Sequence, residues 1–320
     1  MNRKDYDKIK QIAQRFVKDW ENRNTKDLKD YIHDDVKFYV STCKDYTDGG
    51  RHALNGVSGF IAEQKDVSYI RMDLYNFLAS ANDEKGRFTG IVCGTAAAQG
   101  EWKTCQFTFN IAAKLSKHGE EWYLDEIRMD LCDLSGDFTE YYENWYMEEN
   151  KSHYFAGIHL PMISGELDGV DYPSKSDETI LSDEEQIQAV FSRYAFGMDH
   201  KAFSYMEEVL AEDVLINMAP FGTMDKRGAL QSLKLHRGLS KYWTHPGMIE
   251  SVCIHDNEAD VRLWRMAGHR QRSNPLILTE ENILYRHACA RYEIKMKKEN
   301  GRWKLSREDY YLGIVEIDHE

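Results

Sequence analysis

The sequence contains no run of about 18 apolar residues, so it predicts no membrane-spanning helix. It also lacks an excess of positive charge: 41 lysines and arginines stand against 54 aspartates and glutamates, and the net charge is -13. A nucleic acid requires a basic surface that releases counterions from its phosphates, and an anionic membrane surface repels a negative protein. The charge therefore excludes nucleic acids and membranes as expected partners and leaves small molecules and proteins.

Two further signals are missing. The first residues, MNRKDYDKIKQ, have no apolar core of a signal peptide. The six cysteines have no CxxC spacing, and most of them fall in apolar, strand-like stretches; they are Cys43, Cys93, Cys105, Cys132, Cys253 and Cys289. This distribution predicts free, buried thiols in a reducing cytoplasm rather than disulfides or a zinc cluster.

The chain is long enough for two domains, since 320 residues suit two units of about 150. A repeat supports this division. The aligned pairs are Ile9 with Ile187, Ile12 with Val190, Ala13 with Phe191, Phe16 with Tyr194 and Trp20 with Met198. These positions step by three and four, the period of a buried helix face.

The beginning of each copy is predicted from local signals. Ser182 and Glu185 form a capping-box pattern that starts the helix of the second copy. The alignment continues to DDV at Asp34 and EDV at Glu212. Each copy is therefore expected to begin with two helices, followed by an acidic turn into a strand.

Both copies end in a hairpin. CQFTFNIAAKL and WYLDEIRMDL flank a turn at KHGEE, and CARYEIKMK and WKLSREDYYL flank a turn at KENGR. Alternating apolar residues predict antiparallel strands with one buried face; they are Phe107, Phe109 and Ile111 in the first copy and Tyr292, Ile294 and Met296 in the second.

These patterns divide the chain into three parts: a domain at 1–135, a segment at 136–181 and a domain at 182–320. The first half of the segment is crowded with aromatic residues, which we expect to pack onto a domain surface or the other copy. Its second half, ISGELDGVDYPSKSDE, is rich in Gly, Ser, Asp and Pro and is interpreted as a linker.

The predicted order of elements resembles that of the SnoaL-like branch of the NTF2-like superfamily: two helices, then strands, then a final hairpin whose last strand begins with tryptophan. The resemblance implies an α+β fold of two tandem cone-shaped domains. In each, a curved antiparallel sheet wraps around helices and leaves an apolar pocket. The second copy resembles the group that includes bile acid dehydratase and scytalone dehydratase. That group carries a tyrosine, an aspartate five residues later and a histidine before the next strand, which correspond to Tyr194, Asp199 and His245.

Two other groups of that pattern are displaced. The family pattern has an aspartate on the strand after a tryptophan; counting from Trp264, its position is occupied by Gly268, and His269 is the next residue. An arginine expected on the last strand falls on Leu312, and Arg307 is the nearest candidate.

The residue types suggest proton transfer next to a carbonyl. In this interpretation His245 is the base, Asp199 fixes its tautomer, and Tyr194 polarises a carbonyl or protonates a leaving oxygen. No metal or organic cofactor is required. His269 is a fourth catalytic candidate, and the candidates for substrate binding are Trp243, Trp264, Arg265 and Tyr292.

Structural interpretations stand beside these roles. Asp199 could be the N-cap of the second helix, Tyr194 a core residue and His245 a solvent-facing loop residue. In a continuous helix, side chains five residues apart diverge by about 140°. Tyr194 and Asp199 therefore converge only if the helix ends near Gly197.

The first copy has Phe16 and Glu21 in place of the tyrosine and the aspartate, and its corresponding segment contains no histidine. It is predicted to be a catalytically silent partner that pairs with the second copy; alternatively, the chain self-associates. The leading hypothesis is a cytoplasmic, cofactor-free lyase (dehydratase) or isomerase that acts on a hydrophobic, cyclic hydroxy or keto compound. The alternatives are a small-molecule binding or sensing protein and a structural protein whose cavities are filled.

Overall fold

A computed structural model describes residues 1–41, 51–138, 145, 162–172, 180–218, 222–239, 244–266 and 276–317. The chain forms two compact units, Met1–Asp177 and Glu178–Glu320. The segment 136–181 was expected to separate the two domains, but its described residues at 136–138, 145 and 162–172 belong to the first unit.

The first unit begins with helix α1 (Arg3–Glu21) and contains a second helix, α2 (Ala53–Ala62). Its strands are β1 (Ile32–Val40), β2 (Val67–Ala81), β3 (Lys85–Ala98), β4 (Thr104–His118) and β5 (Glu121–Gly136). They form one sheet in the order β1-β5-β4-β3-β2, in which β1 is parallel to β5 and the other pairs are antiparallel.

The second unit repeats this plan. Its helices are α3 (Asp183–His200), α4 (Phe203–Val209) and α5 (Lys226–Leu239). Its strands are β6 (Leu210–Met218), β7 (Gly222–Met224), β8 (Gly247–His255), β9 (Glu258–Met266), β10 (Arg286–Glu299) and β11 (Arg302–Ile317). The sheet order is β7-β6-β11-β10-β9-β8, with β6 parallel to β11. The predicted fold class, α+β with two tandem units of helices on a mainly antiparallel sheet, is confirmed.

The local signals at the helix start and the hairpins are also confirmed. The Ser182 side chain accepts from the Glu185 backbone N–H, and the Glu185 side chain accepts from the Ser182 N–H. The two final hairpins turn between His118 and Glu121 and between Glu299 and Arg302. Both signals depend on neighbouring residues only, which is why they can be read without the fold.

Two expectations for the beginning of each copy are wrong. The second helix of the first copy is only a 3-10 turn at Leu28–Asp30. The acidic residues do not form a turn, because Asp34 lies inside β1 and Glu212 inside β6. Their side chains are exposed on the strands, whereas Val36 and Val214 are buried.

The part of the expected linker that the structure describes packs against the first unit. Ile163 and Val170 are buried. The Asp130 carboxylate on β5 accepts from the backbone N–H groups of Met162 (2.7 Å) and Ile163 (3.1 Å). Strand β4 is consequently buried along both faces for most of its length, instead of along the one face that the alternation predicted.

The interior of the first unit is filled by aromatic rings. The Trp145 ring, from the aromatic-rich segment, lies 4.9 Å from that of Phe109 and 5.0 Å from that of Phe107. Trp20 contacts the same two rings and Phe60. The aromatic residues at 139–144 and 146–161 lie outside the described residues.

No disulfide joins two of the described cysteines. Cys105, Cys132 and Cys289 are buried and Cys93 is partly buried, but Cys253 on β8 is exposed. In the described parts of the chain, no helix is both long and apolar enough to cross a membrane.

Candidate functional site

The centre of the candidate site is a buried pair formed by His245 and Asp199. The Nδ1 atom of His245 lies 2.6 Å from Oδ1 of Asp199, and the backbone N–H of His245 donates to Oδ2 over 3.0 Å. Both side chains are almost completely buried, with exposures of 3% and 1%. A carboxylate can only accept, so Nδ1 donates and, in the neutral ring, Nε2 carries the lone pair. The pair therefore holds the histidine as a base at Nε2.

Asp199 reaches His245 from the last turn of an uninterrupted helix. Helix α3 runs through Gly197 to His200 and ends at Lys201, whose φ of 59° is left-handed. Asp199 is thus inside α3 and is not the N-cap of α4, which is Ala202. A helix end near Gly197, the condition given for Tyr194 and Asp199 to converge, does not occur. A Cβ on Gly197 would lie 2.4 Å from Cγ of Met206, so this glycine permits the close approach of α4.

His245 is held by the segment that enters β8. Gly247, two residues later, packs so tightly on α3 that a Cβ there would lie 2.2 Å from Cε1 of Phe191. This contact brings the start of β8 against the helix that carries Asp199. The expected solvent-facing position of His245 does not occur.

Tyr194 makes a contact that the sequence did not suggest. Its hydroxyl donates to Oε1 of Glu308 over 3.4 Å, and the two side chains are 1% and 4% exposed. Burial raises the pKa of Glu308 to about 8, although the hydrogen bond from Tyr194 opposes this shift. Burial, together with the charge of Glu308, raises the pKa of Tyr194 well above its usual value. At neutral pH the two groups form a neutral phenol and a carboxylic acid.

The second oxygen of Glu308, Oε2, is buried and has no hydrogen-bond partner among the described residues. A buried polar atom without a partner costs about 1–3 kcal/mol. Buried polar atoms without a partner are uncommon in native proteins, so each one requires a structural or functional reason. A ligand atom at this position would supply the missing partner.

A β-bulge turns Glu308 towards the helices. Trp303 and Leu305 are buried on β11, and simple alternation would place Arg307 on the same face. The register with β10 shifts at this point: Leu305 is opposite Met296, but Arg307 is opposite Lys295, its immediate neighbour. The extra residue exchanges the faces, so that Glu308 is buried.

Arg307, the arginine nearest to the position expected from the family pattern, is therefore displaced from the interior. It is half-exposed and donates to Asp309 over 2.7 Å. Leu312, the position reached by counting, is exposed. The bulge is the reason why sequence counting selected the wrong residue and missed Glu308.

Arg265 connects the sheet to the segment of His245. Its guanidinium donates to the backbone oxygen of Thr244 (2.7 Å) and to the hydroxyl of Tyr310 (3.2 Å). The Tyr310 ring lies 4.9 Å from that of Tyr292, which contacts Phe191 on α3. Two residues proposed for substrate binding, Arg265 and Tyr292, thus lie in one cluster on the face of the sheet that packs against α3.

Among the remaining candidates that the structure describes, Trp264 is not brought into this cluster. Trp264 lies between Leu263 and Arg265 on β9, so strand alternation directs it to the opposite face of the sheet. Trp243 and His269 lie outside the described residues. Within the described ranges, no three His, Cys, Asp or Glu side chains are arranged to hold a metal ion.

The equivalent region of the first unit is apolar. Phe16, aligned with Tyr194, is completely buried. Glu21, aligned with Asp199, accepts from the backbone N–H of Met72 over 2.7 Å and therefore binds a strand instead of a histidine.

The fold and the site define the second unit as a sheet-and-helix domain with a polar cluster at its core. Residues 179–309 match the family of the SnoaL-like domain, and the second unit is therefore a SnoaL-like domain. The first unit shares its strand order but is outside this match. No curated protein matches the sequence.

Several solved structures are similar to part of the chain. They include a provisionally assigned scytalone dehydratase from Novosphingobium aromaticivorans DSM 12444, with 8% identity and a TM-score of 0.36, covering 47% of this chain and 95% of that one. Hexachlorocyclohexane dehydrochlorinase LinA-type3 from Novosphingobium barchaimii LL02 has 10% identity and a TM-score of 0.35, covering 41% and 89%. A protein of unknown function with a cystatin-like fold from Nostoc punctiforme PCC 73102 has 13% identity and a TM-score of 0.34, covering 41% and 93%. Likenesses of this size do not extend to function.

Proposed function

We propose that the second unit is a cofactor-free lyase or isomerase that acts next to a carbonyl or hydroxyl group of a hydrophobic, cyclic small molecule. The observation that carries the proposal is the buried contact of 2.6 Å between His245 Nδ1 and Asp199 Oδ1. A histidine whose Nδ1–H is held by a carboxylate presents a basic Nε2, the arrangement used to remove protons in enzymes.

The roles follow from the residue types and from the hydrogen bonds within each pair. His245 takes a proton from carbon, and Asp199 keeps the correct tautomer and stabilises the imidazolium that forms. Tyr194 and its partner Glu308 supply the hydrogen bonding for the substrate oxygen. The SnoaL-like domain supports this proposal through its fold, while the reaction itself is inferred from the side chains.

The surroundings favour an apolar substrate. The hydrophobic core that contains Tyr194 includes buried residues of α3, β9 and β10; among them are Phe191, Leu263, Tyr292 and Ile294. Removing water from such a site strengthens each remaining electrostatic interaction. A cyclic alcohol or ketone presents a hydrocarbon body to these residues and one oxygen to the polar groups.

Turnover of hydroxysteroids and smaller cyclic hydroxy ketones tests the proposal. We expect kcat/KM to fall by at least about a hundredfold in His245→Ala, the usual scale for the loss of a general base. His255→Ala, which removes an exposed histidine at the end of β8, is the matched control and should leave the rate unchanged.

Full activity of the His245→Ala protein would contradict the assignment of the base. Tight binding of these compounds without turnover would favour the alternative of a binding or sensing protein. The absence of both binding and turnover would favour a structural protein with a filled interior.

A further inference from the structure

Glu308 contains a proton that the His245–Asp199 pair cannot supply. Because its pKa is raised to about 8, the carboxyl group is largely protonated at neutral pH. Oε1 accepts the hydrogen bond of the Tyr194 hydroxyl, so the proton of the Glu308 carboxyl group resides on Oε2. Oε2 is the buried atom without a partner among the described residues. The result is an O–H donor in the interior for which the described residues provide no acceptor.

The groups around Glu308 leave its carboxyl group protonated, with Oε2 as the donor. Tyr194 on α3 is its hydrogen-bond donor, and Tyr292 on β10 is a neighbouring phenol. Asp309, on the same strand, raises the pKa of Glu308 further. The guanidinium of Arg265, on β9, donates to the hydroxyl of Tyr310 and to the backbone oxygen of Thr244.

Tyr194 is the poorer acid of the two. Its proton is already directed to Glu308, and its pKa lies well above the usual value. A group transfers a proton efficiently when its pKa is close to the working pH. Glu308 meets this condition better than the phenol does.

We infer that Glu308 is the general acid of the second unit, and that its Oε2–H binds the leaving oxygen of the substrate and protonates it. This inference rests on the proposed function, because it assigns the second half of that reaction. Tyr194 becomes the residue that positions the acid.

The step balances for an elimination of water. His245 Nε2 takes a proton from carbon, and the electron pair of that C–H bond forms the new C=C bond. The C–O bond of the neighbouring carbon breaks, and its electron pair remains on oxygen, which receives the proton of Glu308 and leaves as water. The imidazolium of His245 and the carboxylate of Glu308 then exchange one proton through solvent, which restores both groups.

This assignment narrows the substrate class to alcohols. Hydroxide is a poor leaving group and needs a proton as the C–O bond breaks, whereas 4-nitrophenolate leaves without one. A general acid therefore matters for the first compound and little for the second.

The first experiment uses a hydroxy compound that the enzyme turns over and its 4-nitrophenyl ether. Glu308→Gln keeps the shape of the side chain but cannot transfer a proton. We expect kcat for the alcohol to fall by about a hundredfold or more and kcat for the ether by less than about tenfold. The decline of the wild-type rate above about pH 8 should disappear in this variant. Glu293→Gln, a half-exposed carboxyl group of β10, is the control.

Equal losses for both compounds, with an unchanged pH profile, would overturn the acid role and leave the proposed function intact. They would show that Glu308 contributes only to structure.

A second experiment does not depend on turnover. It compares the binding of 1-tetralone, a bicyclic ketone, with that of tetralin, its parent hydrocarbon. Wild type and Glu308→Gln, which both offer a donor, should prefer the ketone by at least about tenfold, and Glu308→Met should lose this preference. Circular dichroism of each variant identifies a folded protein. Equal affinity of wild type for both compounds would overturn the inference. A Glu308-dependent preference without any turnover would remove the proposed reaction and retain Glu308 as the donor to a ligand oxygen.

Discussion

The two units share a strand order but differ in what fills the space between the helices and the sheet. The first unit has Phe16, Trp20 and Trp145 in an interior of contacting aromatic rings. The second has a buried histidine–carboxylate pair and a buried tyrosine–glutamic acid pair. Aromatic rings contribute stability through burial, whereas buried polar groups reduce it unless each finds a partner. The second unit therefore needs partners for polar groups at positions where the first unit has aromatic rings.

A second difference lies on the other face of the sheet. Strand β4 of the first unit is buried along both faces, and residues 162–172 pack against that unit. The equivalent strand β10 of the second unit alternates between buried and exposed residues along its second half. The segment that was expected to be a linker is thus part of the first unit.

The largest expected effect in this comparison comes from removing Trp145, the ring that the aromatic-rich segment contributes to the first unit. Trp145→Ala should destabilise the first unit by about 3–5 kcal/mol, because it deletes a fully packed aromatic side chain. Urea unfolding measures this change. The rate of any reaction that requires His245 should not change, since Trp145 belongs to the other unit. A loss below about 1 kcal/mol would mean that the ring does not fill the first interior.

The pH dependence of stability should differ between the units. Burial raises the pKa of Asp130 to about 6 in the first unit and that of Glu308 to about 8 in the second. Each group keeps its proton in the folded state at a pH where the unfolded chain has released it. Stability is therefore highest at low pH within these windows and falls as pH rises, from about 4 to 6 for Asp130 and from about 4.5 to 8 for Glu308.

The expected size of each loss is a few kcal/mol, since one pKa unit corresponds to about 1.4 kcal/mol. Urea unfolding at about pH 5, 6.5 and 8.5 measures it. Asp130→Asn should remove only the part of the slope that Asp130 adds below about pH 6, and Glu308→Gln should remove the slope that remains between about pH 6 and 8. If Glu308→Gln leaves the slope between about pH 6.5 and 8 unchanged, burial does not raise the pKa of the Glu308 carboxyl group.

The smallest expected effect is the difference in stability lost when each of the two aligned carboxylates, Asp199 and Glu21, is removed. Asp199→Ala leaves two N–H groups of His245 without their acceptor and should cost about 1.5–3 kcal/mol. Glu21→Ala leaves the backbone N–H of Met72 without its acceptor and should cost about 1 kcal/mol. Thermal unfolding of both variants measures the difference. Equal costs would contradict the conclusion that Asp199 has the more demanding partner.

Much of the fold could be predicted because its signals are local. The capping box at Ser182 and the glycine turns of the final hairpins occur where they were expected. The second helix of the first copy was inferred from its counterpart in the second copy, and this step was wrong. The chain in that region forms only a turn at Leu28–Asp30 before β1 begins.

The candidate site was predictable only in part. The residue types of Asp199 and His245 indicated their pairing, and the structure shows the contact. A helix end near Gly197 does not occur, since that glycine serves the packing of α4 and not a turn. Glu308 was missed because one extra residue on β11 reverses the alternation that the sequence suggests.

The sequence by itself determined the repeat, the start of α3, the two final hairpins and the contrast between Phe16 and Tyr194. These properties depend on residue type and on spacings of two to four residues, which the chain displays directly. Tertiary structure alone decided the contact between Asp199 and His245, which are 46 positions apart, and the inward direction of Glu308. It also decided the protonation of Glu308, because a pKa depends on burial and on neighbours that the fold brings together.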